Sequence, residues 1–272
     1  MKYRGFTLVE LIITIIIIII ILRSYMNETH NTVDSIRLFC LPFAGGSYYS
    51  YFPLEKHINS RICLTPIDLP GHGRRMREPL LSDLDDMCED VYDQISHQLN
   101  SPYAILGHSM GALLGYLVTQ KIEARGAPRP VHLFVSGRQG PSVPGRHKNV
   151  HLLPKEDFIK HLQHYGGIQD EILKEKDLMD LFEPIMRADF KALNYAHINK
   201  TPLTSPITVF LGTADTITYE EAMTWQAVTH TPITLHQFPG GHFFIFNNLA
   251  DIGRIVSETI LAALVQFNKQ AF

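Results

Sequence analysis

The sequence predicts an α/β fold, with a mostly parallel central sheet flanked by helices and a helical insertion late in the chain. Three observations predict it. The apolar run Tyr103-Ala-Ile-Leu reads as a buried strand, breaks at Gly107, and gives way after Gly111 to the helical pattern Ala112-Leu-Leu-Gly-Tyr-Leu-Val. Strand-like runs alternate with helical stripes up to Ser136 and again from Ile207. Between Ser136 and about Lys200 that alternation lapses into loop and helices.

The totals bound the rest. A chain of 272 residues with 45% hydrophobic and 19% charged content fits a globular protein with a sizeable core. A net charge of -3 leaves no basic footprint for nucleic acid. Cys40, Cys63 and Cys88 show no metal spacing, and Cys40 and Cys63 sit in apolar runs that predict buried thiols. An odd cysteine count without pattern points to a reducing compartment.

Residues 1–25 differ in character from the rest of the chain. Lys2 and Arg4 precede Gly5-Phe-Thr-Leu-Val-Glu-Leu11, and an isoleucine-dominated run continues to Leu22 before Arg23. Phe6 to Leu22 is near the short end of what crosses a bilayer as a helix, about 17 residues. The flanking charges favour an inside N-terminus. This segment resembles the leader and first helix of type IV prepilin-like proteins. The resemblance implies cleavage between Gly5 and Phe6, and Glu10 matches the family's glutamate. No pilin-like domain follows, and Met26 opens a polar lead-in that would serve as an ordinary start. Three readings fit: an extension the enzyme does not need (preferred), an inner-membrane anchor through residues 6–22, and an exported hybrid.

Ile36 to Leu41 is a strand by its β-branched and aromatic content, ended by Pro42. Phe43-Ala-Gly-Gly-Ser47 and an aromatic helical stretch from Tyr48 to His57 come next. A glycine pair after an early strand lets backbone approach a substrate closely, so the Ala44 amide is an oxyanion candidate. Arg61 to Thr65 is the next strand, leading into the breaker-rich loop Pro66-Ile-Asp-Leu-Pro-Gly-His-Gly-Arg-Arg75. Arg74, Arg75 and Arg77 offer cations to a phosphate or an acidic surface, or form a solvated basic loop. Ser82 to Leu99 is a helix capped by Ser82, with Leu84, Met87, Val91, Ile95 and Leu99 as a core stripe.

Gly107-His-Ser-Met-Gly111 is a G-x-S-x-G pattern between strand and helix. A serine on such a tight turn takes strained backbone angles and needs small neighbours two positions away. Ser109 is then the nucleophile and the Met110 amide, at the helix start, a second oxyanion donor. Val131 to Val135 is a buried strand. The insertion carries helices at Lys155 to Gln163, Asp170 to Lys174 and Asp177 to His197, with Pro184 inside the last, and suits a lid of about residues 142–200. Strand Ile207 to Leu211 ends before Asp215. Strand Ile233 to Phe238 leads to Gly240-Gly-His242, and a helix from about Asn248 to Phe267 closes the chain.

A serine hydroxyl needs a base, and His242 in a glycine-flanked loop can approach Ser109. Asp215 would orient that imidazole. Asp68 is the rival acid, set aside because Asp215 directly precedes the histidine-bearing strand. His108 adjoins the nucleophile, but consecutive residues at such a turn point apart. The order Ser109, Asp215, His242 is that of α/β-hydrolases. No metal or organic cofactor is required.

Residues from about 36 to 265 resemble the type II thioesterases that accompany nonribosomal peptide and polyketide synthetases, of the α/β-hydrolase fold. The matching stretches are Leu41-Pro-Phe-Ala-Gly-Gly-Ser47, Asp68-Leu-Pro-Gly-His-Gly-Arg-Arg75 with Glu78-Pro79, Gly107-His-Ser-Met-Gly111, Arg187-Ala-Asp-Phe190 and Gly240-Gly-His-Phe-Phe244. The resemblance implies a triad of Ser109, Asp215 and His242 and oxyanion amides of Ala44 and Met110. It implies hydrolysis of acyl thioesters on the phosphopantetheine arm of carrier domains, clearing stalled or misloaded units, and hence a cytoplasmic location. Arg74 and Arg75 are candidate contacts for the carrier or its arm. The rivals are a generic carboxylesterase or lipase, and a membrane-anchored pilin-like interaction protein.

Overall fold

The computed structural model describes residues 35–145, 148–164, 176–194 and 201–270. Its sheet contains β1 (Ile36–Leu41), β2 (Ile62–Pro66), β3 (Tyr103–His108), β4 (His132–Ser136), β5 (Ile207–Gly212) and β6 (Thr234–Phe238). The strand order is β2-β1-β3-β4-β5-β6, with parallel pairing throughout these strands. The winding reverses between β1 and β3, and in open α/β sheets the crevice at the carboxyl ends of such strands is the binding position. Leu41 pairs with Gly107, so the loops leaving β1 and β3 emerge side by side. That register carries the Ala44 loop to the Ser109 turn.

Helices cover both faces, which is why β1 and β3 read as continuous apolar runs rather than alternating ones. On one face, α2 (Leu84–Ile95) and α3 (Met110–Ala124) pack on Phe39, Leu41 and Ile105 through Met87, Val91, Ile95 and Leu114. On the other, α8 (Leu249–Gln270) brings Ile252, Val256 and Ile260 against Leu38, Cys40 and Leu106. The predicted stripe from Leu84 to Leu99 is buried in full.

Several local expectations shift. The α2 cap is Asp83, not Ser82: its carboxylate accepts from the amides of Asp85 and Asp86, a stronger charge-assisted contact than a serine offers. The Tyr48 to His57 stretch divides into a 3-10 turn, Tyr48–Tyr51, and α1 (Phe52–Glu55), with Pro53 in the first turn of α1. Cys40 is buried, but Cys63 is exposed because β2 is the edge strand. The sequence pattern does not announce α6 (Tyr219–Met223), whose capping box pairs Thr218 with Glu221. Its neighbour Trp225 is fully buried and donates from Nε1 to the Arg138 carbonyl.

The insertion contributes α4 (Lys155–His164) and α5 (Lys176–Ala192), the latter running through Pro184. The expected helix at 170–174 and the end of the next at His197 lie outside the described residues, as does the hydrophobic run at 6–22. Among the described residues no helix is long and apolar enough to cross a membrane.

Candidate active site

Ser109 sits between β3 and α3 with φ 53 and ψ -112, a left-sided backbone that a non-glycine residue adopts only under constraint. The constraint is visible in its neighbours. A Cβ on Gly107 would lie 2.0 Å from the Gly111 carbonyl oxygen, and one on Gly111 would lie 2.3 Å from the Leu41 oxygen. Strand, turn and helix are therefore pressed together, and the serine is turned out over the sheet edge. Its own amide donates to the Ser136 carbonyl at 2.8 Å.

The loops after β5 and β6 bring the partners. The Ser109 hydroxyl lies 3.0 Å from Nε2 of His242, whose Nδ1 lies 3.0 Å from Oδ2 of Asp215. A carboxylate only accepts, so Nδ1 carries the proton and Nε2 is left to accept from the serine. The Asp215 side chain is fully buried, and the Ala214 amide donates to the Gly240 carbonyl, tying the two loops together. Phe43, Phe243 and, from the short α7 (Phe244–Asn247), Phe246 form an aromatic wall beside His242. His108 belongs to that wall: it is buried, faces Ser136 through Nδ1, and burial pushes its pKa well down. It stays neutral and turned away from the serine.

Met110 is the first residue of α3, where a backbone N–H has no partner in its own helix. The Ala44 amide donates to no acceptor among the described residues. Neither amide has a backbone acceptor among the described residues. The Ala44 loop is braced from α5: the Gly45 amide donates to Asp189 at 2.7 Å, and Gly45 has φ +74 with no room for a Cβ beside the Met186 sulfur.

That brace was not legible in the sequence. Asp189 is fully buried and also accepts from Nε2 of His72 at 3.0 Å, while Nδ1 of His72 faces the Pro70 carbonyl at 3.0 Å. Two acceptors on two ring nitrogens require an imidazolium. Burial pushes the His72 pKa down, but the Asp189 hydrogen bond and charge outweigh it and the net shift is upward. The signal available was a carboxylate on the buried face of an amphipathic helix, three residues after Met186.

Asp68 is placed away from the triad. It accepts from the Tyr48 amide at 2.6 Å and from both the backbone and Nε of Arg74, joining the Ala44 loop to the Arg74 loop. Arg75 is committed as well. Its N–H donors go to Glu78, Asp90 and the Asp68 carbonyl, which removes it as a free contact for a partner. The two arginines that the sequence grouped together therefore separate, one half-exposed and one held between two carboxylates. A cavity of about 340 Å³ lies beside His242, lined by Asp215, Thr216 and Asn247 and by Gln163 and His164 from α4.

Residues 36–260 match the model of the Thioesterase domain family. The chain belongs to that family. This thioesterase is 35% identical to the gramicidin S biosynthesis protein GrsT of Aneurinibacillus migulanus, over 83% of this chain and 89% of that protein. Among solved structures it is similar to ClbQ from the colibactin NRPS/PKS pathway, with a TM-score of 0.80 and 29% identity, covering 85% of this chain and 99% of that one. It is likewise similar to the RedJ thioesterase of the prodiginine pathway in Streptomyces coelicolor, with a TM-score of 0.75 and 34% identity, covering 80% and 89%. The fold is thus that of the α/β-hydrolase thioesterases, and the thioesterase is an enzyme acting on acyl thioesters. Residues 1–22 match a second model, the prokaryotic N-terminal methylation motif, in agreement with the prepilin-like reading of that segment.

Proposed function

We propose that this thioesterase releases acyl groups from the phosphopantetheine arm of carrier domains, clearing stalled or misloaded units in nonribosomal peptide or polyketide synthesis. Ser109 attacks the thioester carbonyl as His242 takes its proton, Asp215 holds the imidazole, and the Ala44 and Met110 amides receive the oxyanion. The thiolate of the arm leaves with a proton from His242, and water activated by the same histidine frees the acid. Residues 26–272 form the catalytic domain, with the insertion of about 142–200 as its lid, working in the cytoplasm where loaded carriers reside. The observation that carries the reading is the hydrogen-bonded chain from Ser109 through His242 to buried Asp215.

The test is acyl release from an acetyl-loaded carrier protein followed by mass, with Ser109→Ala alongside. We expect release by the wild type and a loss of at least about a thousandfold in the variant. Faster turnover of simple oxygen esters than of the carrier thioester would instead make the chain a general esterase.

A further inference from the structure

Asp68 sets the posture of a cation as well as bracing two loops. Its Oδ2 accepts from the backbone N–H and the Nε–H of Arg74, at 3.1 and 2.9 Å. The Arg74 guanidinium carbon lies 3.6 Å from the centroid of the Tyr48 ring. Its side chain is nonetheless 53% exposed, and its terminal nitrogens donate to no acceptor among the described residues. An arginine held at Nε and stacked on a ring has given up its rotamer freedom before any ligand arrives. What remains is a rigid two-pronged fork facing solvent, the geometry that binds two oxygens of one anion. Arg75, whose guanidinium is engaged on both sides by Glu78 and Asp90, shows what an arginine built only for structure looks like here.

We propose that Arg74 is an anion anchor for the phosphodiester of the carrier arm, with Tyr48 and Asp68 as its positioning residues. The proposal rests on the carrier-arm reading above. Its place in the fold suits the task. Tyr48 lies four residues beyond Ala44, a span of at most about 14 Å. The anchor is therefore carried by the loop that emerges beside Ser109. A long flexible arm, fixed there by its phosphate, would enter with its thioester end free to reach the serine. A carboxylate on the carrier surface would fit the same fork, so the source of the anion has to be separated by experiment.

The experiment compares wild type, Arg74→Gln and Arg77→Gln on four acetyl thioesters: of carrier protein, of free phosphopantetheine, of pantetheine and of N-acetylcysteamine. Arg77 is exposed on the same loop and serves as the control for general electrostatics. We expect Arg74→Gln to lose roughly tenfold to a hundredfold in kcat/KM, mainly through KM, on the two phosphate-bearing substrates. On pantetheine and N-acetylcysteamine thioesters it should match the wild type, and Arg77→Gln should change all four little. A loss confined to the carrier substrate would assign the anion to the carrier surface and overturn the proposal. Equal losses on all four would make Arg74 a brace for the Ala44 loop, and equal losses in both variants would reduce it to net charge. A wild type that hydrolyses oxygen esters but none of the four thioesters would instead refute the function on which the anchor depends.

Discussion

At the scale of single residues, the buried charges divide into those that face the reaction and those that hold its loops. The pair His72 and Asp189 is of the second kind, at 2% and 0% exposure. Breaking a buried ion pair by removing one partner costs about 3–5 kcal/mol, because the other charge is left without compensation. Asp189→Ala should therefore lower the unfolding free energy measured in urea by an amount of that order, with refolded protein still able to form the sheet. The pair also makes stability depend on pH. The His72 pKa is raised in the folded state, so its contribution is fully present below the unfolded value of about 6.5 and is lost as pH rises through the folded value. The stability gap between wild type and His72→Gln should be widest in mild acid and narrow above that folded value. A gap that instead grew with pH would mean His72 is neutral in the fold. Ser109, Asp215 and His242 could be found in the sequence because each sits at a strand end with local punctuation. Asp189 was visible only as part of the stretch Arg187-Ala-Asp-Phe190; its role was not, because nothing local marks its pairing with His72.

At the scale of elements, α5 is fastened at several points along its second half. Met186 fills the space over Gly45, Asp189 holds the Gly45 amide, and Arg187 donates to the carbonyls of His151 and Leu153 while lying over the Phe158 ring at 4.4 Å. A small apolar core of Val150, Phe158, Leu162, Met186 and Phe190 joins α4 to α5 and reaches Ala44. The described parts of the insertion, residues 148–164 and α5, thus pack together and rest on the Ala44 loop. Arg187→Ala removes two hydrogen bonds to backbone carbonyls, at about 1–3 kcal/mol each. It should loosen residues 148–164 first, seen as faster amide exchange there than in β3. Uniform acceleration across the molecule would show that the insertion and the sheet unfold together. The spacing of Leu178, Leu181, Phe182, Ile185, Met186, Phe190 and Leu193 predicts an apolar stripe, and it holds only in the second half of the helix: Ile185, Met186, Phe190 and Leu193 are buried, whereas Leu178 and Leu181 are exposed. The contact between that stripe and the Ala44 loop was not legible, because the sequence shows which face is apolar and not what it meets.

At the scale of the whole molecule, β1 is the first element among the described residues. The Ile36 amide donates to the Arg61 carbonyl at 3.0 Å, and both large cores are assembled from residue 36 onward among the described residues. The family match also starts at residue 36, whereas the N-terminal methylation motif ends at 22. Two sequence signals of different kind therefore meet across a short polar stretch, and the six strands of the sheet all lie within the second of them. A chain of residues 26–272 should melt at the same temperature as residues 1–272 and release acyl groups with the same kcat/KM. Thermal unfolding and acyl release, measured on both in the same detergent-containing buffer, check this. A lower melting temperature for the shorter chain would show that the leader packs on the catalytic domain. Unchanged melting with slower release only on membrane-associated carriers would give residues 6–22 a role in placing the enzyme rather than in building it. The mass of the chain recovered from cells then decides which form operates: a start at Met26 leaves the hydrophobic run outside the working enzyme, and a start at Phe6 marks prepilin-type processing.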